Sequence, residues 1–257
     1  MSGAPSTQQL YDRHAGAWNR SEPVLLSDYT ARPRVLERIA CVRGLHVWDL
    51  GCGEGFMGRQ LLRQQPACVE GIDVSSEMVE AARRQAGAGG VERGGPLSYR
   101  VGDLSRIEQL PEGQCDVAIA VFLFNYLPLA PTIAVLRHVR QRLRPGGRLV
   151  FTVPHPSLAF LRPQEPPFFL DPAGHRYLQA SDQFLEGRIW RRDGASAPVR
   201  SVHKTVADYF HALKEAGWTT LPHVEELGVT SDHLALDPGF FGPLEGVPLH
   251  MLFELRR

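Results

Sequence analysis

The chain has 257 residues, 43% of them hydrophobic and 22% charged, enough to bury a large core in an ordinary globular composition. Lys plus Arg and Asp plus Glu each total 28, so the formal net charge is zero. That excludes a dominant nucleic-acid or anionic-membrane surface, though not a local basic patch.

Met1 to Leu10 lacks the basic cluster and apolar segment of a secretory signal. The longest apolar run, Val117 to Phe124, is far short of the ~20 residues a membrane helix needs. Cys41, Cys52, Cys68 and Cys115 show no CxxC spacing and read as free thiols in a reducing cytoplasm, which places the protein in the cytosol.

Leu45 to Leu50 is short, apolar and β-rich, and predicts a first strand that runs into the glycine cluster beginning at Gly51. Phe56, Leu61 and Leu62 give the following helix its buried face, and Val69 to Asp73 reads as a second strand. Ser75 or Ser76 caps the next helix, in which Met78, Val79 and Ala82 recur at helical spacing. Gly87 to Pro96 is a glycine-rich connection, and Leu97 to Val101 is a third strand. Val117 to Phe122 is a continuous apolar run, as a central parallel strand covered on both faces requires. Ile133, Leu136, Val139 and Leu143 make a helical stripe that stops at the turn Arg144-Pro-Gly-Gly147, and Arg148 to Val153 is the fifth strand.

From Pro154 to Arg200 this rhythm breaks, and the only β-like segment lies around Arg188 to Arg191. The stretch is too long for a plain connection, and Phe160, Phe168, Phe169, Tyr177, Phe184 and Trp190 favour a packed lid. Thr205-Val-Ala-Asp208 caps a last helix through Phe210, Leu213 and Ala216. Trp218 to Glu226 and Leu249 to Leu255 read as two closing strands. The link between them, Leu227 to Pro248, shows no clear helix, so an antiparallel pairing is expected. Strands alternating with helices over the first part imply a doubly wound α/β sheet.

The chemistry is concentrated at strand ends. Asp49-Leu-Gly51-Cys-Gly53-Glu-Gly55 follows the first strand, where glycines let the backbone approach a ligand closely. Asp73 ends the second strand some twenty residues later, where a carboxylate accepts hydrogen bonds from ribose hydroxyls, and Asp103 follows the third in Val101-Gly-Asp-Leu104. Each aspartate alone reads more readily as a solvated turn or helix-cap residue; their joint placement at successive strand C-termini is hard to explain structurally.

As a set these segments resemble class I, Rossmann-like, S-adenosylmethionine-dependent methyltransferases, over about residues 45 to 153. Asp49 to Gly55 resembles their glycine-rich motif, Gly71 to Met78 their ribose-binding segment, and Gly102-Asp103-Leu104 their adenine-binding turn. Asp116 to Tyr126 with Leu143 to Gly147 resembles the fourth strand, its helix and the turn into the fifth. The resemblance implies a seven-stranded, mostly parallel sheet with an antiparallel last strand. It divides the chain into a helical cap (1–44), a cofactor-binding core (45–153), a lid (154–200), and the final helix with the terminal strand pair (201–257). It implies S-adenosylmethionine as cofactor, with Asp49, Gly51, Gly53, Asp73, Val74, Met78, Asp103, Leu104 and Val121 along its groove. Tyr11, in Tyr11-Asp-Arg-His-Ala-Gly-Ala-Trp18, resembles a residue of the capping helix in that family, and Tyr126 faces it from the opposite side.

Methyl transfer from a sulfonium needs an acceptor held in near-attack geometry and, for some acceptors, a base. His155, in Pro154-His-Pro156, and His203, in His203-Lys-Thr-Val-Ala-Asp208, are the expected bases. The region Phe122 to Tyr126 has no carboxylate to hold a catalytic cation, so no metal is expected. The acceptor is expected to be a small aromatic or lipophilic molecule, such as a natural-product intermediate, methylated on O first, on N or C otherwise. A cofactor-binding scaffold without activity is the rival from another class; no nucleic-acid or membrane partner is expected. Gly53-Glu-Gly55-Phe-Met-Gly58 also matches the GxGxxG of dinucleotide oxidoreductases, but that scheme gives Asp49, Asp103 and the terminal strands no role.

Overall fold

The computed structural model describes residues 6–87 and 95–257. Most of the glycine-rich connection expected over Gly87 to Pro96, and the first half of Met1 to Leu10, lie outside the described residues.

The cap begins with α1 (Thr7–Trp18), whose first turn is closed by a reciprocal capping box between Ser6 and Gln9, and continues through α2 (Leu26–Thr30) and α3 (Arg32–Ile39). The core then alternates β1 (His46–Leu50), α4 (Phe56–Leu62), β2 (Cys68–Asp73), α5 (Ser76–Ala86), β3 (Leu97–Val101), β4 (Cys115–Val121), α6 (Leu129–Arg142) and β5 (Leu143–Pro154). A short α7 (Leu158–Leu161) leads into β6 (Phe168–Asp171), β7 (Phe184–Trp190) and β8 (Ser196–Val202). The chain closes with α8 (Val206–Glu215), β9 (His223–Leu227), α9 (Ser231–Leu236), α10 (Pro238–Phe241) and β10 (His250–Arg256).

The main sheet has seven strands in the order β3-β2-β1-β4-β5-β10-β9. β10 alone runs against its neighbours, antiparallel to both β5 and β9, as expected of the last strand. Side chains alternate across β1 with period two, so Val47 and Trp48 enter different cores. One core sets Trp48, Ala118, Phe151 and Phe253 against α6 and α8; the other sets Val47, Ile119 and Val150 against α3, α4 and α5. The order reverses beside β1, so the crevice at its C-terminal edge opens between β1 and β4. Tight packing holds the glycine loop there: the Tyr99 ring lies where Gly55, Gly58 and Gly71 leave no room for a Cβ, and its hydroxyl donates to the Gly55 carbonyl at 3.1 Å.

Three expectations need correction. The stretch after β5 holds a three-stranded antiparallel sheet, β6-β7-β8, rather than one β-like segment. Proline and glycine within it mask the pattern, and its apolar face (Phe168, Leu170, Leu185, Ile189, Val199) is completed only by packing on α2 and α10. The link before β10 holds α9 and α10, each too short for a periodic apolar stripe to show. The closing strand begins at His223 and not Trp218; Trp218 is buried under α6, its indole N–H donating to the Leu136 carbonyl.

Candidate active site

The glycine loop turns through left-handed backbone at Gly51 (φ +75°) and Gly53 (φ +54°), and a Cβ on Gly51 would press on Leu123 at 3.2 Å. It opens on a cavity of about 690 Å³, within the range of small-molecule sites. Tyr11, Gly51, Gly53, Asp73, Val74, Met78, Asp103, Leu104, Val121 and Tyr126 all line it. Asp49 lies behind the loop, lining a smaller cavity that shares Gly51, Gly53, Met78 and Val121 with the first.

Asp73 is fixed by two backbone amides, Gly53 N–H to Oδ2 at 2.9 Å and Ser75 N–H to Oδ1 at 3.0 Å. Burial raises its pKa, and the two amides restrain the rise. Asp103 Oδ1 accepts from the Ser105 amide (2.9 Å) and hydroxyl (2.6 Å), which fixes the turn after β3. The Tyr11 hydroxyl donates to Tyr126 Oη at 2.5 Å, so the cap helix and the loop after β4 close on each other across the cavity. Asp12 on the same helix accepts from the Ser75 hydroxyl at 2.6 Å.

Asp49 is 1% exposed and one of its oxygens has no hydrogen-bond partner among the described residues. Burial pushes its carboxyl up to about 7, with Arg32 opposing and Asp73 and Glu54 reinforcing the shift. Unfolded, the group titrates near 4. Between these values the fold retains a proton that the unfolded chain has released, so this group makes stability fall as pH rises from about 4 to 7. Asp49→Asn is expected to flatten that slope and to raise Tm at pH 8 by about 5 °C. Thermal melts from pH 4 to 8 check it; an unaltered slope removes Asp49 as the source.

The structure brings neither expected histidine to the cavity. His155 is 7% exposed, with Nε2 against Glu226 Oε1 at 2.9 Å and Nδ1 accepting from the Ser157 hydroxyl at 2.7 Å, so both nitrogens are committed at the end of β5. His203 is buried among Phe160 and Tyr177, its Nε2 bonded to the Tyr177 carbonyl at 3.0 Å. Their position after strand ends was a fair signal; the direction of the side chains was not in the sequence.

The expected aromatic lid, with Phe168 and Phe184, forms the other half of the cavity, together with residues that sequence reading missed. Phe168, Leu170, Ile189 and Val199 from the inserted sheet make an apolar wall, with Phe184 and Arg200, the guanidinium stacked 3.9 Å over the phenyl ring, at its margin. Arg32, Asn125, Ser201 and His250 add polar groups, and Phe122 joins them through left-handed backbone (φ +61°) at the end of β4. The loop bearing Asn125 and Tyr126 is braced from the far side of the insert. Val202 N–H donates to the Asn125 carbonyl at 2.6 Å, and the buried Lys204 ammonium donates to the carbonyls of Phe124 and Leu127. These positions come from loops, cap and insert, with no shared spacing in the sequence to mark them.

Residues 47–147 match the family model described as a methyltransferase domain. Among curated proteins the chain is 35% identical over 140 residues to trans-aconitate 2-methyltransferase of Mycolicibacterium gilvum, covering 53% of this chain and 49% of that one. It is 27% identical over 187 residues to N-demethylindolmycin N-methyltransferase of Streptomyces griseus, covering 69% and 72%. The chain thus spans only about half the length of several of its curated relatives. A solved S-adenosylmethionine-dependent methyltransferase from Mesorhizobium loti superposes with a TM-score of 0.63 at 28% identity, over 88% of this chain and 96% of that one.

Residues 47–147 thus match a methyltransferase domain, and strand order and glycine loop are those of the class I, Rossmann-like fold, whose members take S-adenosylmethionine as cofactor. The residues present fit that group. Two carboxylates and a close-approach glycine turn border one groove, and a buried carboxylate oxygen behind the loop still lacks a partner. Among the described residues no helix is long and apolar enough to cross a membrane.

Proposed function

We propose that this protein transfers the methyl group of S-adenosylmethionine to an O–H or N–H group of a small, largely apolar molecule held under the inserted sheet. The observation that carries this reading is the continuity of one cavity from Gly51, Asp73 and Asp103 to the wall of Phe168, Leu170, Ile189 and Val199. In it Asp73 would hold the ribose hydroxyls, Asp103 and Leu104 the adenine, and Asp49 the amino-acid end, while Tyr11 and Tyr126 close over the cofactor. Val74, Met78 and Val121 supply the apolar sides of the groove.

When bound, the cofactor supplies an electrophilic methyl on a sulfonium, which leaves the protein to position the acceptor and exclude water. The cap and insert suit that task because they are joined directly. The Arg191 guanidinium donates to the Ala17 carbonyl at 2.9 Å, and the Arg192 amide to the Val24 carbonyl at 2.9 Å. Rate enhancement then comes chiefly from orientation in a dry site, which needs no ionised base. O-methylation is the first reading; the match to the N-methyltransferase from Streptomyces griseus favours nitrogen as the second. The free state of all four cysteines supports a cytosolic setting.

The test is transfer of labelled methyl from S-adenosylmethionine to a panel of phenols, aromatic and heterocyclic amines, and small carboxylic acids. Product confined to apolar hydroxyl or amine acceptors is expected. Cofactor binding by calorimetry with no transfer to any class would favour a scaffold instead.

A further inference from the structure

Lys204 is one of two lysines in the chain, and the other, Lys214, is exposed in the last turn of α8. Lys204 lies between β8 and α8 and is 2% exposed. An ammonium only donates, so the direction of its hydrogen bonds is fixed. Among the described residues they go to two carbonyls of one loop, Phe124 at 2.9 Å and Leu127. The Asn125 carbonyl of that loop is held by the same segment, through the Val202 amide at 2.6 Å and the Ser201 hydroxyl at 3.2 Å. The neighbouring carboxylates are committed elsewhere: Asp182 to the Leu129 amide at 2.7 Å, Asp208 to the Ser181 hydroxyl and the Thr205 amide, each at 2.8 Å. Burying a charge with carbonyls as its partners is costly, and an apolar side chain would fill the same space without that penalty. What the charge adds is a grip on the loop that lends Leu123, Asn125, Tyr126 and Leu127 to the cavity wall. The same loop meets the cap, where the Tyr11 hydroxyl donates to Tyr126 at 2.5 Å.

We infer that Lys204 is a positioning residue for methyl transfer, its ammonium holding the loop of Asn125 and Tyr126 closed over the cofactor groove. The assignment deepens the methyl-transfer reading and rests on it. Burial pushes the Lys204 pKa down to about 8, with Asp182 and Asp208 opposing. Above that pH the neutral amine is a weaker donor, and the loop loses part of its hold. The other titratable groups around it are His203 and Tyr209. Burial lowers the first and raises the second, so neither changes charge in that range.

The experiment uses S-adenosylhomocysteine as the probe and protein carrying 13C at the lysine ε-carbons. Two signals result, with exposed Lys214 as the internal control. Saturating probe should raise the Lys204 pKa by about 0.7 and leave Lys214 in place, because a ligand that binds the protonated form about fivefold more tightly must favour that form. A side chain that only fills space would not move. By calorimetry at pH 7.5, Lys204→Met should bind the probe about fivefold more weakly than wild type. That ratio should shrink about threefold by pH 9.5, and comparing the two proteins cancels the probe's own titration. A Lys204 pKa unmoved by the probe, or a ratio that stays constant with pH, overturns the assignment and leaves the methyltransferase reading standing. The wild-type titration decides alone where Lys204→Met does not fold. Failure of S-adenosylhomocysteine to bind wild type overturns that reading, and the assignment with it.

Discussion

Replacing Asp73 with alanine is expected to weaken S-adenosylhomocysteine binding by roughly 100- to 10,000-fold. A carboxylate at this place accepts two charged hydrogen bonds from a ribose, and hydrogen bonds to charged groups contribute about 1.5–3 kcal/mol each. Asp73 stands ready for that role because the amides of Gly53 and Ser75 fix its plane, while the side chain, only half-buried, lines the cavity. Since Asp73 Oδ2 also holds the glycine loop, the alanine variant must be separated from simple loosening of that turn. Asp73→Asn keeps an oxygen for one amide and should fall between wild type and alanine. Isothermal titration decides; an affinity within threefold of wild type for Asp73→Ala would remove it from the ribose site.

The second large effect concerns stability. Arg20 is 4% exposed at its side chain and is bound twice to Asp28 (Nε to Oδ2 and Nη2 to Oδ1, both 2.8 Å) and once to Glu54 at 2.8 Å; the two carboxylates are 0% and 2% exposed. Asp28 also caps its own turn by accepting from the Val24 and Leu25 amides. A buried pair is weak proof of net stabilisation, but without Arg20 two buried carboxylates lose part of their compensation, Asp28 keeping only Arg32 and Glu54 only Arg59 as ion-pair partners among the described residues. Arg20→Met is therefore expected to cost about 3–5 kcal/mol and to lower Tm by about 10 °C. Adding Glu54→Gln should recover part of the loss, because it neutralises a buried carboxylate whose remaining partner, Arg59, also donates to the Glu54 and Arg20 carbonyls. The pH dependence has a definite sign. Burial would raise the Asp28 pKa, but Arg32 and Arg20 outweigh it and the value falls below the usual carboxylate range. The stabilisation from this group is fully present above about pH 4 and is lost as pH falls through the lowered folded value. Thermal melts of the three proteins at pH 7 and pH 4 measure it; a Tm loss under 2 °C for Arg20→Met contradicts the account. Because Glu54 belongs to the glycine loop, this network also ties the cap to the cofactor groove.

The cofactor half of the cavity was open to sequence reading for a local reason. A strand must end in a turn, the turn needs glycine where φ is positive, and Asp73 and Asp103 follow their own strands directly. Gly51, Gly53, Asp73 and Asp103 therefore meet at one sheet edge in any doubly wound fold. Asp49 belongs to the same reading, and it lines a smaller cavity that shares Gly51, Gly53, Met78 and Val121 with the larger one.

The acceptor half obeys no such local rule. His155 and His203 follow strand ends as Asp73 does, but Glu226 and Tyr177, distant in sequence, turn their rings away from the cavity. His250 carries no signal in its own neighbourhood; it comes to the cavity through the pairing of β10 with β5, and its Nε2 meets the hydroxyl of Thr30, 220 residues earlier, at 3.0 Å. The sequence by itself determined the α/β sheet, the glycine loop and the carboxylates at successive strand ends, because backbone periodicity and turn sterics act over a few residues. Only the tertiary structure decided which histidine reaches the cavity and what covers the acceptor, because those depend on contacts among the cap, the inserted sheet and the last strand.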